Sequence, residues 1–213
     1  MIGRLFFHFV EDVIRNVSGP IGLHLRRFYY KRRLGGAGYG LIIDIGVSFQ
    51  SPKNIYLGDH VWIDKNVIFI AGTIQSDSDK ITHKQSSGKS EQGKIRFGSY
   101  CHIGIGTVVQ GHGGFFAGDY FTSSAGCRIY SFSNDYGKSK SGTVPMVNTM
   151  PDYIMGAVVF GRNVWIGLGV SVISAVIGDD AFILPHSVVY HSIANNVVAG
   201  GNPAIEIRSR FSK

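Results

Sequence analysis

The sequence predicts an all-β fold of short parallel strands wound into stacked coils, and three observations predict it. From Phe160 to Val189 an aliphatic or aromatic residue returns at close to six-residue intervals, with Phe160, Ile166, Val172, Ile177 and Ile183 on the beat. A six-residue beat is neither the alternation of a single strand nor the 3.6 period of a helix, so it calls for a repeat in which each hexad is one short strand and a turn. Three hexads close a triangular coil, and stacking buries the beat residues along the axis. The step from Val172 to Ile177 is one residue short and reads as a tightened corner. Second, the same beat appears upstream, at Phe97, Ile103 and Val109 and again at Ala117, Ser123 and Ile129. Third, Gly makes up 29 of 213 residues and charged residues only 16%, which suits tight turns better than a helical bundle.

Residues 1–34 stand apart from the repeat domain, which spans 35–213. Leu5, Phe6, Phe9, Val10, Val13 and Ile14 recur at helical spacing, and Arg26, Arg27, Lys31, Arg32 and Arg33 follow. Two readings stand for this amphipathic, basic segment: a peripheral membrane contact, or a helix packed on the end of the stack to shield its edges.

The beat is expected to begin near Ile45 and to pass through Ser51, Leu57, Ile63 and Phe69, with Ser51 opening a turn at a corner. It vanishes between Gly72 and Gly93, and again from about Ser133 to Gly156, and both polar stretches read as loops extruded from corners. Cys101 and Cys127 form neither a disulfide framework nor a ligand pattern, and each falls where a hexad needs a small inward side chain. His60 and His83 read as solvated turn residues and His102 as part of a wall.

In order along the C-terminal part stand VWIGLG, VIGDDAFI, SVV and GGNPA. This series resembles the hexapeptide-repeat acyltransferases, over roughly residues 40–207. The resemblance implies a left-handed parallel β-helix, a homotrimer and acetyl-CoA as acyl donor; handedness comes from it alone, since parallel crossovers are otherwise right-handed. It also implies that the donor lies along the C-terminal coils, touching Gly167, Leu168, Gly169 and His186, with Asn202, Pro203 and Arg208 near its nucleotide end. The basic residue usual directly after NPA is replaced by Ile205 and Glu206, so Arg208 and Arg210 are the candidates for a phosphate contact.

Acyl transfer to a hydroxyl needs a base near the attacking oxygen and donors for the developing oxyanion. Many family members place a histidine for this in a short motif whose counterpart here is IYSFSNDYG, with Phe132 and Asn134 where histidines would stand. Hexad counting puts His112 at the same corner one coil earlier, and Gly111, Gly113 and Gly114 beside it are expected to leave room for substrate and backbone donors. His112 is therefore the candidate base, and Asn134, Asp135 and Tyr136 are candidate substrate contacts. The same segment, followed by TVP, also resembles the subgroup that acylates the amine of nucleotide-linked amino sugars. A zinc site at His186 and His191 is set aside, since sites of that kind draw on middle coils, and no metal is expected.

Lys and Arg exceed Asp and Glu by seven, which favours phosphate-bearing ligands or an anionic membrane surface; no nucleic-acid motif accompanies the charge. No apolar run approaches the roughly twenty residues that span a bilayer, and no signal pattern is seen, so the expectation is a cytoplasmic protein, peripheral at the inner face of the membrane. The leading functional reading is O-acetylation of a sugar hydroxyl in surface-polysaccharide assembly, of capsule or O-antigen type. Its competitors are N-acylation of a nucleotide-linked amino sugar and a non-catalytic β-helix scaffold.

Overall fold

Alternation inside each hexad shapes the chain. The beat residue and the residue two before it both point inward, so Val61 with Ile63, Cys101 with Ile103, Phe121 with Ser123 and Val164 with Ile166 are buried while the residue between faces out. The computed structural model describes residues 2–74, 81–83, 91–134 and 153–211. In it three parallel sheets form the walls of a left-handed β-helical prism. The first wall stacks Gly36–Ala37, Ile55–Leu57, Ile95–Phe97, Phe115–Ala117, Val158–Phe160 and Val176–Ile177. The second stacks Ile42–Ile43, Trp62–Ile63, His102–Ile103, Thr122–Ser123, Trp165–Ile166 and Phe182–Ile183, and ends in a hairpin of Val197–Gly201 with Ala204–Ser209. The third stacks Ser48–Gln50, Ile68–Ile70, Val108–Gln110, Arg128–Tyr130, Ser171–Ile173 and Val188–Val189. The chain runs from first wall to second to third in each of six coils. Ile103, Val109, Ile129, Ile166 and Ile183 are fully buried on the axis.

The corner between the first and second walls explains the recurrent Gly-Asp of the sequence. A Cβ on Gly58 would lie 2.6 Å from the carbonyl of Gly98 in the next coil, and one on Gly118 would lie 2.8 Å from the carbonyl of Gly161. The residue after the glycine then accepts a backbone N–H from the neighbouring coil: Asp59 from Tyr39 at 2.7 Å, Asp119 from Ser99 at 2.7 Å and Asp179 from Arg162 at 2.8 Å. Where the stack closes in on itself, only glycine fits and only a short acceptor satisfies the turn.

Two expectations are corrected. Ile45 and Ser51 are not beat residues; Ile43 and Phe49 are, and a short 3-10 turn, Pro52–Asn54, adds two residues before Leu57. Ser51 does open that turn, with φ 53°. The two breaks in the beat are also more than loops. Phe132–Asn134 pairs antiparallel with Tyr153–Met155, which pairs parallel with Ile81–His83, so the two insertions meet in a small sheet of their own. His83 therefore lies in a strand rather than a turn.

Helices α1 (Ile2–Asn16) and α2 (Gly19–Arg33) close the N-terminal end of the stack. Gly22, Arg26 and Tyr30 form the buried stripe of α2. The Arg26 guanidinium is fully buried and donates to the carbonyls of Ile43, Val17 and Ile14, and burial lowers its pKa. Tyr30 packs on Phe49 with ring centroids 4.6 Å apart, and burial, then Glu11, raises its pKa. No helix is long and apolar enough to cross a membrane among the described residues.

Candidate functional site

Five steps take the chain from the third wall back to the first, and every departure from the six-residue beat falls at that corner. Phe49 to Leu57 and Val109 to Ala117 take eight residues, Phe69 to Phe97 takes 28, Ile129 to Phe160 takes 31 and Val172 to Ile177 takes five. The residues between Val109 and Ala117, QGHGGFF, place His112 there.

The neck of the first insertion holds His112 at two points. Gly72 donates its N–H to Gly93 at 2.8 Å, Gly93 donates to the carbonyl of His112 at 3.0 Å, and the His112 ring bonds through Nδ1 to the carbonyl of Gly72 at 2.6 Å. A carbonyl can only accept, so Nδ1 is the protonated nitrogen and Nε2 carries the lone pair of the neutral ring. That is the tautomer a general base needs. The Phe132 ring stands edge-on to the imidazole at 6.1 Å and stacks on Tyr153 at 4.7 Å, giving the base one apolar side. Asn134 lies two residues further along the same strand, about 7 Å away at the usual rise, partly buried. Asp135 and Tyr136 lie outside the described residues.

The three glycines beside His112 do not leave the corner open. A Cβ on Gly111 would meet Ile95 at 2.4 Å, and one on Gly113 would meet the carbonyl of Ser131 at 2.4 Å. Their N–H groups are spent on Ile70, on the Ser131 hydroxyl and, for Gly114, on Gly111. These glycines let coils approach one another; they do not supply oxyanion donors. Among the described residues the N–H of His112 itself has no partner.

The residues expected to meet the donor gather at another corner, between the second and third walls. Leu168 is half exposed there, and the exposed His186 folds its ring over Gly169, where a Cβ would sit 2.7 Å from Nδ1. Gly167 is buried under Pro185 of the next coil, and a Cβ on it would lie 2.7 Å from the Pro185 nitrogen. The turn at Asn202 and Pro203 stands above the same corner, with Gly201 donating to the Ser187 hydroxyl at 3.0 Å. Arg208 does not join them. It pairs with Val198 at the other end of the hairpin, about 13 Å along an extended strand from that turn. Arg210 is turned onto the carbonyls of Asn163 and Ala181. The corner's exposed cations are instead Lys65 and Arg128, the latter donating to the carbonyls of Gly106 and Gly126. Hexad counting could have found both, since it puts Lys65 on one line with Leu168 and Arg128 on one line with Ser171.

His102 is in the second wall as expected, but it has a partner that sequence reasoning missed: Nε2 lies 3.0 Å from Asp64, and its ring packs against Trp62 at 5.0 Å. Trp62 and Trp165 on the same outer face are about half exposed. Both sulfurs are buried. Burial pushes the Cys101 thiol up to about 12 and the Cys127 thiol up to about 11. Among the described residues no three His, Cys, Asp or Glu stand close enough to hold a metal.

His112 and the Gly169 corner lie on opposite edges of the third wall, roughly 20 Å apart at strand rise. One chain therefore presents a candidate base and a candidate donor groove without joining them.

Known proteins bear on this geometry. No family model matches the chain. A probable macrolide acetyltransferase from Lysinibacillus sphaericus is 32% identical over 120 residues, which are 56% of this chain and 62% of that protein. The chain thus spans less than two thirds of that relative. A dTDP-4-amino-4,6-dideoxy-D-glucose acyltransferase from Escherichia coli is 31% identical over 168 residues, 78% of this chain and 77% of that protein. Among solved structures, the N-acyltransferase AntD from Bacillus cereus, in complex with dTDP and coenzyme A, aligns with a TM-score of 0.71 at 22% identity, covering 87% of this chain and 89% of that one. A hexapeptide-repeat acetyltransferase from Vibrio cholerae, complexed with acetyl coenzyme A, gives 0.59 at 19% identity over 94% and 84%. With the beat, the triangular coil and a relative matched over most of its length, the chain belongs to the hexapeptide-repeat acyltransferase family.

Proposed function

We propose that the protein transfers an acetyl group from acetyl-CoA to a hydroxyl of a saccharide in surface-polysaccharide assembly, with His112 as general base. One observation carries the reading: the bond from Nδ1 to the Gly72 carbonyl leaves Nε2 free to take a proton from an attacking hydroxyl. The base takes that proton as the oxygen adds to the thioester carbonyl, and the thiolate of CoA then leaves. The His112 N–H, without a partner among the described residues, is a candidate donor for the oxyanion. Acetyl-CoA as donor is supported by the coenzyme A and acetyl coenzyme A complexes of the two structural neighbours.

The separation of His112 from the Gly167–Gly169 corner supports a homotrimer in which a neighbouring chain brings its donor groove to this base. A symmetric ring of heterologous contacts achieves that closure. The exposed Trp62 and Trp165 offer apolar surface for it.

A second reading, N-acylation of a nucleotide-linked amino sugar, is favoured by the relative matched over 168 residues, an acyltransferase of dTDP-4-amino-4,6-dideoxy-D-glucose. Release of free thiol from acetyl-CoA separates the readings. Turnover with oligosaccharide hydroxyls, giving a product cleaved by hydroxylamine, supports the first. A hydroxylamine-stable amide formed only with an amino-sugar nucleotide replaces it with the second, and no thiol release with either class rejects both.

A further inference from the structure

The inner stripe of α2 is spent on the core, but its outer stripe is not. Ile21, Leu25 and Phe28, at positions i, i+4 and i+7, are 71%, 41% and 63% exposed and form one apolar ridge along the helix. Arg27 and Lys31 lie along one side of it, and Arg32 continues it one turn beyond Phe28, its guanidinium 3.6 Å from the centroid of the Phe28 ring. None of these three cations meets a carboxylate among the described residues.

The charge of the chain is concentrated here. Helix α2 holds five Lys and Arg and no Asp or Glu, so the remainder of the sequence carries 16 basic against 14 acidic residues. Only Arg26 of the five is buried. A surface that is apolar along its ridge and cationic along one side and at one end asks for a partner with an apolar interior and an anionic skin.

We propose that the outer face of α2 docks parallel to an anionic lipid bilayer, with Ile21, Leu25 and Phe28 entering the acyl boundary and Arg27, Lys31 and Arg32 meeting lipid phosphates. Three apolar side chains are too few to anchor the chain alone, and three cations without them give only screened attraction, so binding needs both. A second copy presenting the same face would set like charges against each other. A nucleic acid would satisfy the cations but leave the ridge in water. The proposal does not depend on which acceptor the enzyme uses.

Vesicle flotation of the full chain tests it. The protein should float with vesicles of phosphatidylcholine mixed with phosphatidylglycerol, remain behind with phosphatidylcholine alone, and be released by high salt. Changing Arg27, Lys31 and Arg32 together to Gln should weaken binding about a hundredfold, near fivefold per cation. The double change Ile21→Ser and Phe28→Ser should weaken it about tenfold or more. Ile21, Phe28, Lys31 and Arg32 are exposed and Arg27 is half-buried, where Gln keeps most of its packing, so both variants should melt close to the wild type. Absence of flotation with the mixed vesicles, equal flotation with both, or a cation variant that binds as before would overturn the proposal. So would a change of oligomeric mass in the serine variant, which assigns the ridge to a second copy. A shift of a random oligonucleotide without vesicle binding would assign the cations to nucleic acid and overturn it as well.

Discussion

Between the first and second walls each coil turns alike: Leu57 to Ile63, Phe97 to Ile103, Ala117 to Ser123 and Phe160 to Ile166 all take six residues. Between the third and first walls no two successive steps agree, and both insertions leave there. The contrast has a physical origin. At the regular corner a carboxylate or hydroxyl of one coil accepts an N–H of the coil before it, as Asp59, Ser99 and Asp119 do in turn, so a residue added in any coil would leave these bonds unmade. At the irregular corner the bonds of Gly72 to Gly93 and of Gly156 to Ser131 close the necks of the insertions, so the length beyond each neck is free to vary. The regular corner stabilises the stack. The irregular one can hold a site.

Substitutions that break the comparison should hurt most where the stack is regular. Ile103→Ala removes a fully buried side chain from the axis and should cost about 2–5 kcal/mol in denaturant unfolding. Gly58→Ala forces a Cβ against the Gly98 carbonyl and should cost about 1–3 kcal/mol, where the same change at Gly126, which has nothing within 4 Å, should meet no clash and suffer only its positive φ. Asp119→Ala leaves the Ser99 N–H without its acceptor and should cost about 1 kcal/mol.

The buried thiols give a smaller, pH-dependent signal. Their folded pKa values, about 12 for Cys101 and about 11 for Cys127, stand above the ordinary thiol value, so the folded state keeps its protons longer than the unfolded one. That contribution is fully present below about pH 9 and is lost as pH rises through 11 to 12. Unfolding midpoints should fall over that window, less so in Cys101→Ala with Cys127→Ala. Native protein should resist alkylation at neutral pH.

The same contrast explains what the sequence made legible. Beat residues such as Ile103, Ile166 and Ile183 are readable because a fixed step and a buried axis constrain residue type together. A phase carried back from Leu57 falls on Ile45 and Ser51 instead of Ile43 and Phe49 because it crosses the irregular corner, where the Pro52–Asn54 turn adds two residues. The position of His112 followed from counting, but its tautomer did not, since the Gly72 carbonyl is 40 residues away in sequence. The glycines around it misled, because glycine marks both open space and close stacking. Arg208 misled for a related reason: the hairpin reverses the chain and carries it away from the turn it follows.

The most direct test of His112 as the base is His112→Ala, measured for acetyl-CoA turnover with a hydroxyl acceptor and for thermal unfolding on the same sample. A positioned base is worth roughly 10²–10⁴ in rate, whereas the single bond to Gly72 is worth about 1 kcal/mol of stability. The prediction is a fall of turnover by that factor with a nearly unchanged melting curve, reproduced by His112→Asn. Full turnover in a folded His112→Ala protein would contradict it.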